Sequence, residues 1–407
     1  MKKVVLIFLT IIITLGSELP ISAAQKQMIN ASSAIMVDAT SGQVIYQQNA
    51  NKQLPVASIS KLLTVAVLHD ELAHHKINLN TKVRVTTEIA QMSNNPNYSR
   101  IEMKEGQSYS VKQLLSAALV KSGDGATVAL VTAGGDSVAS FTTKMQKKAK
   151  ELGLKKAHII NPTGLTNADM GVFKNNKISD NSENEMSATD VSILTRYLIK
   201  AYPRLVKIAS QKKASFLTSS GTTKSFDNLN KMLPGGEYTV PGVTVTGLKT
   251  GTSESAGASF VSTANYKGHI IITVVLHANG DNNDARFVQT QKLYEMLKND
   301  YHLQTIKVPQ EMQTVTVSNG TMTKASAKPQ RISVWTKKKI GSYTLSQTIR
   351  NKNKWGKIDA PVRKGQQVGT LNLTSSSVKS ITNEPLTYPQ YSNQNIAKGN
   401  FFQRFFH

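Results

Sequence analysis

The sequence predicts an α/β domain, one antiparallel sheet flanked by helices plus a helical lobe, followed by a small all-β domain and a C-terminal amphipathic helix. Three observations predict it. Strand patterns bracket a run of helical patterns between residues 34 and 297, the order of a sheet closed by its two sequence ends around a helical insertion. Beyond Val308 the chain changes to short Val, Thr and Ile runs punctuated by Gly and Pro. The final residues carry phenylalanines at helical spacing.

The opening "MKKVVLIFLTIIITLGSELPISAA" joins Lys2 and Lys3 to an apolar run from Val4 to Leu15 and to small residues at Ser22 and Ala24. This is the make-up of a secretory leader, residues 1–24, cut after Ala24. The run is too short to cross a bilayer. Next, "AIMVDATSGQVIY" (Ala34 to Tyr46) reads as a hairpin around Thr40, Ser41 and Gly42. Apolar residues three and four apart predict helices over Leu62 to Leu72, Val111 to Val131, Val138 to Leu152 and Ala188 to Ile199. Strands return in "GVTVTGLKTGTSESAGASFVSTANYKGHIIITVVLHA", where Gly257 and Gly268 separate β-branched runs, and a helix from Asp284 to Leu297 follows. These elements make a domain over 25–305, a β-rich domain over 306–389 and a tail over 390–407.

Composition restricts the chemistry. There are no cysteines among 407 residues, which excludes disulfides, thiol nucleophiles, thiolate metal sites and a lipid-carrying cysteine. The formal charge is +24, and loss of the leader removes two lysines and one glutamate from it. An exported chain so basic meets acidic wall polymers and anionic headgroups rather than nucleic acid, although a solvated lysine surface with no dedicated partner fits as well.

Three short stretches carry the chemistry. In "PVASISKLLT", Pro55 precedes a helix whose first turn puts Ser58 and Lys61 on one face at i and i+3. A serine hydroxyl needs a base, and Lys61 serves only when neutral, a shift of about three units from ~10.4, or roughly 4 kcal/mol. Burial, the helix N-terminus and a second cation all act in that direction. In "GLKTGTSESAGASF", Lys249 and Thr250 end a strand, Gly251 bares the backbone for a ligand and Thr252 resumes. Such an edge accommodates a peptide as an added strand and clamps its terminal carboxylate. In "LVKSGDGATVAL", Ser122-Gly123-Asp124 forms a loop able to relay a proton. Taken singly, these are also an ordinary helix turn, a lysine-guarded edge and a capping turn. Together they supply a nucleophile with its base and a carboxylate site.

In this order the motifs resemble those of the serine penicillin-recognising enzymes. With "ELGLKKAHIINPTGL" and "APVRKGQQVGTLNL", the chain looks like the low-molecular-mass penicillin-binding proteins that are D-alanyl-D-alanine carboxypeptidases, of the peptidase S11 kind. The resemblance implies a penicillin-binding protein/β-lactamase fold. It implies Ser58 as acylated nucleophile, Lys61 as general base and Ser122 as proton relay to the departing D-alanine. Lys249, Thr250 and Thr252 then hold the substrate carboxylate, with Gly251 and Asp124 in the same substrate site. The N–H groups of Ser58 and Thr252 form the oxyanion hole that a tetrahedral intermediate requires. The implied partners are the peptidoglycan stem pentapeptide and β-lactam antibiotics, and no cofactor or metal is implied.

One residue departs from that pattern: Asp124 stands where the loop usually ends in asparagine, with Gly125 following. Its carboxylate is expected either to pair with Lys249 or to slow acylation by favouring a charged Lys61. The tail "NIAKGNFFQRFFH", as a helix, puts Phe401, Phe402, Phe405 and Phe406 on one side and Lys398 and Arg404 toward the other. Such a stripe either enters the outer interface of the cytoplasmic membrane or packs on the β-domain; the resemblance favours the membrane, placing the protein on the extracytoplasmic face.

Other sites fare poorly. His74 and His75 lie outside any HExxH pairing, and "AGGDS" at 133–137 lacks the lysine of a phosphate loop. Trp335 and the turn at Lys337 to Lys339 suit a partner or wall polymer, or a mere spacer. A β-lactamase reading meets no evident deacylating glutamate in an ExxLN-like loop. A wall-binding protein impaired by Asp124 remains as a non-catalytic reading.

Overall fold

A computed structural model describes residues 29–217, 220–329 and 332–401. The leader expected at 1–24 and the phenylalanines at 402, 405 and 406 lie outside the described residues.

The expected hairpin forms as β1 (Ala31–Asp38) and β2 (Gln43–Gln48). Three ten-residue strands, β3 (Thr244–Ser253), β4 (Gly257–Tyr266) and β5 (His269–Ala278), run as an antiparallel meander. β5 pairs with β1, Ala31 opposite Ala278, so the two sequence ends of the domain meet in the sheet middle and leave β3 at an edge. β5 reads as a continuous apolar run because both faces are covered. Ile272, Val274 and Leu276 join the core under the helical lobe, whereas the alternate Ile271 and Val275 join the core beneath the helix that follows β5.

The helices are α1 (Lys61–Ala73), α2 (Thr87–Asn94), α3 (Val111–Val120), α4 (Asp124–Thr132), α5 (Val138–Glu151), α6 (Ala188–Ala201), α7 (Pro203–Ala209) and α8 (Ala285–Asp300). α1 buries Leu62, Leu63, Val65, Ala66 and Leu68 and so forms the lobe's centre. The single helix expected over Val111 to Val131 is two, because Ser122, at φ +65°, takes a left-handed conformation that no helix continues. α2 and α7, eight and seven residues long, are too short for periodicity to disclose.

The C-terminal region is all β, with cores around Val317, Ile358 and Val368 and around Val334, Leu371 and Tyr388. It interlocks with the sheet instead of standing apart. His302–Thr305 pairs with Ser333–Thr336, and Lys379–Ser380 adds outside β2. Trp335, read from sequence as either a partner contact or part of a spacer, is 2% exposed and belongs to the core under α8. Its indole N–H donates to Asp38 Oδ2 at 3.1 Å, and Gln43 exchanges two hydrogen bonds with its backbone.

The helix expected within the 390–407 tail, from Asn395 on, is overturned as far as Asn400. Leu386–Tyr391 is a strand, Ile396 is buried in the β core, and Gly320 bridges to Lys398, so this stretch is extended chain stitched to the β region. An isoleucine with a pocket to fill and two backbone partners outweighs the amphipathic spacing.

Candidate active site

Ser58 lies in a 3₁₀ turn, Ala57–Ser60, that runs directly into α1. Residues i and i+3 eclipse in a 3₁₀ turn, which sets Lys61 beside Ser58. Lys61 Nζ lies 2.6 Å from Ser58 Oγ, 2.7 Å from Asp124 Oδ1 and 2.9 Å from the Thr163 carbonyl, the three acceptors that an ammonium can satisfy. Burial lowers the Lys61 pKa, opposed by the charge and hydrogen bond of Asp124.

The turn is braced from two sides. Ala57 has φ +44°, and a Cβ on Gly164, itself at φ +85°, would stand 1.9 Å from the Ala57 carbonyl oxygen. A Cβ on Gly251 would stand 2.4 Å from the Val56 carbonyl. The bare backbone at Gly251 thus lets β3 press against the nucleophile turn, a reason different from the ligand contact expected from the sequence. Asn161 Oδ1 accepts the N–H groups of Thr163 and Gly164, and Asn184 Oδ1 those of Ile160 and Asn161, which fixes the loop carrying the Thr163 carbonyl.

Across the site, Lys249 Nζ donates to Ser122 Oγ at 2.8 Å and to the Thr250 carbonyl at 3.0 Å. Burial, with the nearby Lys61 and Arg286 charges, depresses the Lys249 pKa well below the lysine range, and Asp124 opposes. Asp124 turns to Lys61, not to Lys249, so the first of its two expected roles is overturned: its other oxygen is taken by the Ser99 N–H at 3.0 Å, and the α3–α4 break sets it over α1. Thr250 and Thr252 lie on β3, whose outer side is the sheet edge next to the nucleophile turn.

Two contributors were not singled out from sequence. Arg286, the second residue of α8, donates to the Gly251 and Ser259 carbonyls at 2.8 and 3.2 Å and to Thr252 Oγ1 at 2.7 Å. It bore no motif; only the α8 register places it behind β3. Glu183 accepts from the Ser253 and Ser255 hydroxyls at 2.8 and 2.5 Å, clasping the loop of Asn184 to the β3–β4 turn. The pattern Glu183-Asn184-Glu185-Met186 was the available signal. Among the described residues no cluster of three potential metal ligands occurs.

A buried lysine on a serine hydroxyl, a second lysine across another hydroxyl and an open strand edge define a serine acyl-transfer enzyme of the penicillin-recognising class. The chain belongs to the D-alanyl-D-alanine carboxypeptidase family, peptidase S11, which matches residues 21–280. It is 30% identical over 352 residues to the D-alanyl-D-alanine carboxypeptidase DacF of Bacillus subtilis, covering 84% of this chain and 81% of the relative. The crystal structure of a peptidoglycan synthesis regulatory factor (PBP3) from Streptococcus pneumoniae superposes with a TM-score of 0.76 at 32% identity, over 90% of this chain and 99% of that one. Penicillin-binding protein D2 from Listeria monocytogenes in its ampicillin-bound form gives 0.52 at 25%, over 66% and 96%.

Proposed function

We propose that the protein is a serine-type D-alanyl-D-alanine carboxypeptidase that removes the terminal D-alanine of peptidoglycan pentapeptides and is acylated by β-lactams. The observation that carries this reading is the pair of buried lysines each set on a serine hydroxyl, Lys61 on Ser58 and Lys249 on Ser122. Neutral Lys61 takes the Ser58 proton as Oγ adds to the scissile carbonyl carbon. The Ser58 and Thr252 N–H groups hold the resulting oxyanion. Lys249, Thr250 and Thr252 hold the terminal carboxylate, and Arg286 holds Thr252. As the C–N bond breaks, Ser122 gives its hydroxyl proton to the leaving nitrogen and takes the one Lys61 holds, which leaves Lys61 neutral again. Water then adds to the ester, gives its proton to Lys61 and releases the shortened peptide with Ser58 restored. Glu183 is occupied by two serines, which argues against the deacylating role a β-lactamase asks of a glutamate.

Mass spectrometry of a pentapeptide incubated with the protein tests the reading. Loss of one alanine, durable fluorescent-penicillin labelling and absence of both in Ser58→Ala are the expected results. Rapid release of the label points to a β-lactamase, and no labelling to a wall-binding protein.

The leader supports an extracytoplasmic location, and the four terminal phenylalanines support a tether to the outer membrane interface. Because Ile396 belongs to the β core, the test is removal of residues 402–407 alone. Release of the shortened protein from the membrane fraction is expected, and full retention opposes the tether. Anionic wall polymers remain a proposed second partner of the basic surface.

A further inference from the structure

The protein has two tryptophans, and they have opposite fates: Trp335 is 2% exposed and Trp355 is 71% exposed. An indole so open to water is unusual for a residue that buries large apolar area when it is given the chance. It is nevertheless held in place. Asn353 Oδ1 accepts the N–H groups of Trp355 and Lys357 at 3.0 and 3.1 Å, and Asn353 Nδ2 donates to Ser318 Oγ and Asp359 Oδ1 at 2.9 and 3.0 Å. The turn therefore presents Trp355 from a braced base, with Lys354 Nζ 4.4 Å from the indole centroid.

The same end of the β region carries more. The neighbouring turn after Ser318 bears Met322, 49% exposed, and is stitched to the outgoing chain by Thr321 N–H on the Ala397 carbonyl and Gly399 N–H on the Asn319 carbonyl. That chain leaves at Phe401, 75% exposed. Lys352, Lys354 and Lys398 are exposed around these apolar side chains. From 350 to 364 there are six basic residues against one acidic, Asp359, whose carboxylate is bound to Ser318 and Asn353.

We propose that this tip, Trp355 with Met322 and the surrounding lysines, is a docking surface for an anionic lipid bilayer, separate from the terminal phenylalanines. It rests on the extracytoplasmic membrane reading above. Three arguments select a bilayer. An indole flanked by lysine stems suits the headgroup boundary, where the ring body is buried and the ammonium groups meet phosphate. The six residues after Phe401 reach at most ~20 Å, so a bilayer that receives Phe402, Phe405 and Phe406 lies against this end. A soluble polyanion satisfies the lysines and leaves the indole wet.

The tryptophan pair makes the test direct, since buried Trp335 supplies a constant background. Purified protein is titrated with vesicles of phosphatidylglycerol and phosphatidylcholine, with vesicles of phosphatidylcholine alone, and with soluble polyphosphate. A blue shift of emission with the anionic vesicles only, absent in Trp355→Ser, is expected, together with roughly tenfold weaker vesicle binding of that variant. Lys352→Gln with Lys354→Gln should weaken binding while penicillin labelling of Ser58 stays intact, which reports on folding. An unmoved emission with anionic vesicles overturns the proposal, as does an equal response to polyphosphate, which marks a wall-polymer surface. Phe405→Ser with Phe406→Ser separates the two readings. A retained Trp355 shift there leaves the tip standing without the tether, whereas wild-type vesicle binding by Trp355→Ser leaves the tether without the tip.

Discussion

Asp124 Oδ1 sits 2.7 Å from Lys61 Nζ with both side chains buried, so the base of the proposed reaction carries its own counter-ion. That contact favours the charged amine and opposes the burial that must neutralise it, burial being the larger of the two effects. Asparagine keeps an oxygen for Lys61 and removes the charge. Acylation of Asp124→Asn by a β-lactam at pH 6 to 7 should therefore be roughly ten- to a hundredfold faster, with the acid limb of the rate profile moved to lower pH. Stopped-flow labelling from pH 5 to 9 checks it; superimposable profiles remove the counter-ion effect.

Lys249 presents the opposite situation. Burial and the Lys61 and Arg286 charges hold its pKa far down, yet an ammonium is what grips a carboxylate. An arriving carboxylate raises that pKa, so the complex binds more protons than the separate partners wherever pH lies between the two values. KM for the peptide should then rise with pH through the free enzyme's Lys249 titration. Calorimetry of a slowly reacting β-lactam in buffers of different ionisation enthalpy should show proton uptake, and zero uptake from pH 6 to 9 would contradict the assignment.

Much of this was legible from sequence, and the failures share a cause. The β1–β2 hairpin and the β3–β5 meander follow from local spacing, because β-branched runs and turn residues act over a few positions, whereas the Ser58, Ser122 and Lys249 stretches were ambiguous singly and made a site only in combination and through the family resemblance. Long-range competition set the rest. The Asp124 partner depends on the α3–α4 break that carries its carboxylate over α1, and Arg286 reaches β3 only through the register of α8. Ile396 left the amphipathic pattern because the β core offered it burial. Trp335 and Trp355 lie in similar basic surroundings in the sequence, and only tertiary packing separates them.

Gly164 tests the bracing of the nucleophile turn. Its φ of +85° disfavours any side chain, and a Cβ 1.9 Å from the Ala57 carbonyl displaces the residue before Ser58. Gly164→Ala should lower the melting temperature by several degrees, from about 2 kcal/mol or more of strain, and cut β-lactam acylation at least tenfold. Scanning calorimetry and labelling rates measured together decide it. Wild-type acylation in a folded Gly164→Ala protein would mean that this contact does not set Ser58.

Arg286 acts on the same edge from behind. Burial lowers its pKa to about 10, which still leaves it charged at neutral pH, and its guanidinium spans Gly251, Ser259 and Thr252. Arg286→Met strands two carbonyls and releases the Thr252 hydroxyl, so stability should fall by roughly 1 to 3 kcal/mol. It also removes one of the charges that depress Lys249. The pH at which peptide KM begins to rise should therefore move upward, an effect that mere loosening of the strand does not produce. Arg286→Lys separates the two contributions, since a point charge without the planar fork should keep the Lys249 titration near its wild-type position while recovering little of the melting temperature. Identical KM–pH curves for wild type and Arg286→Met would reduce Arg286 to a structural strut.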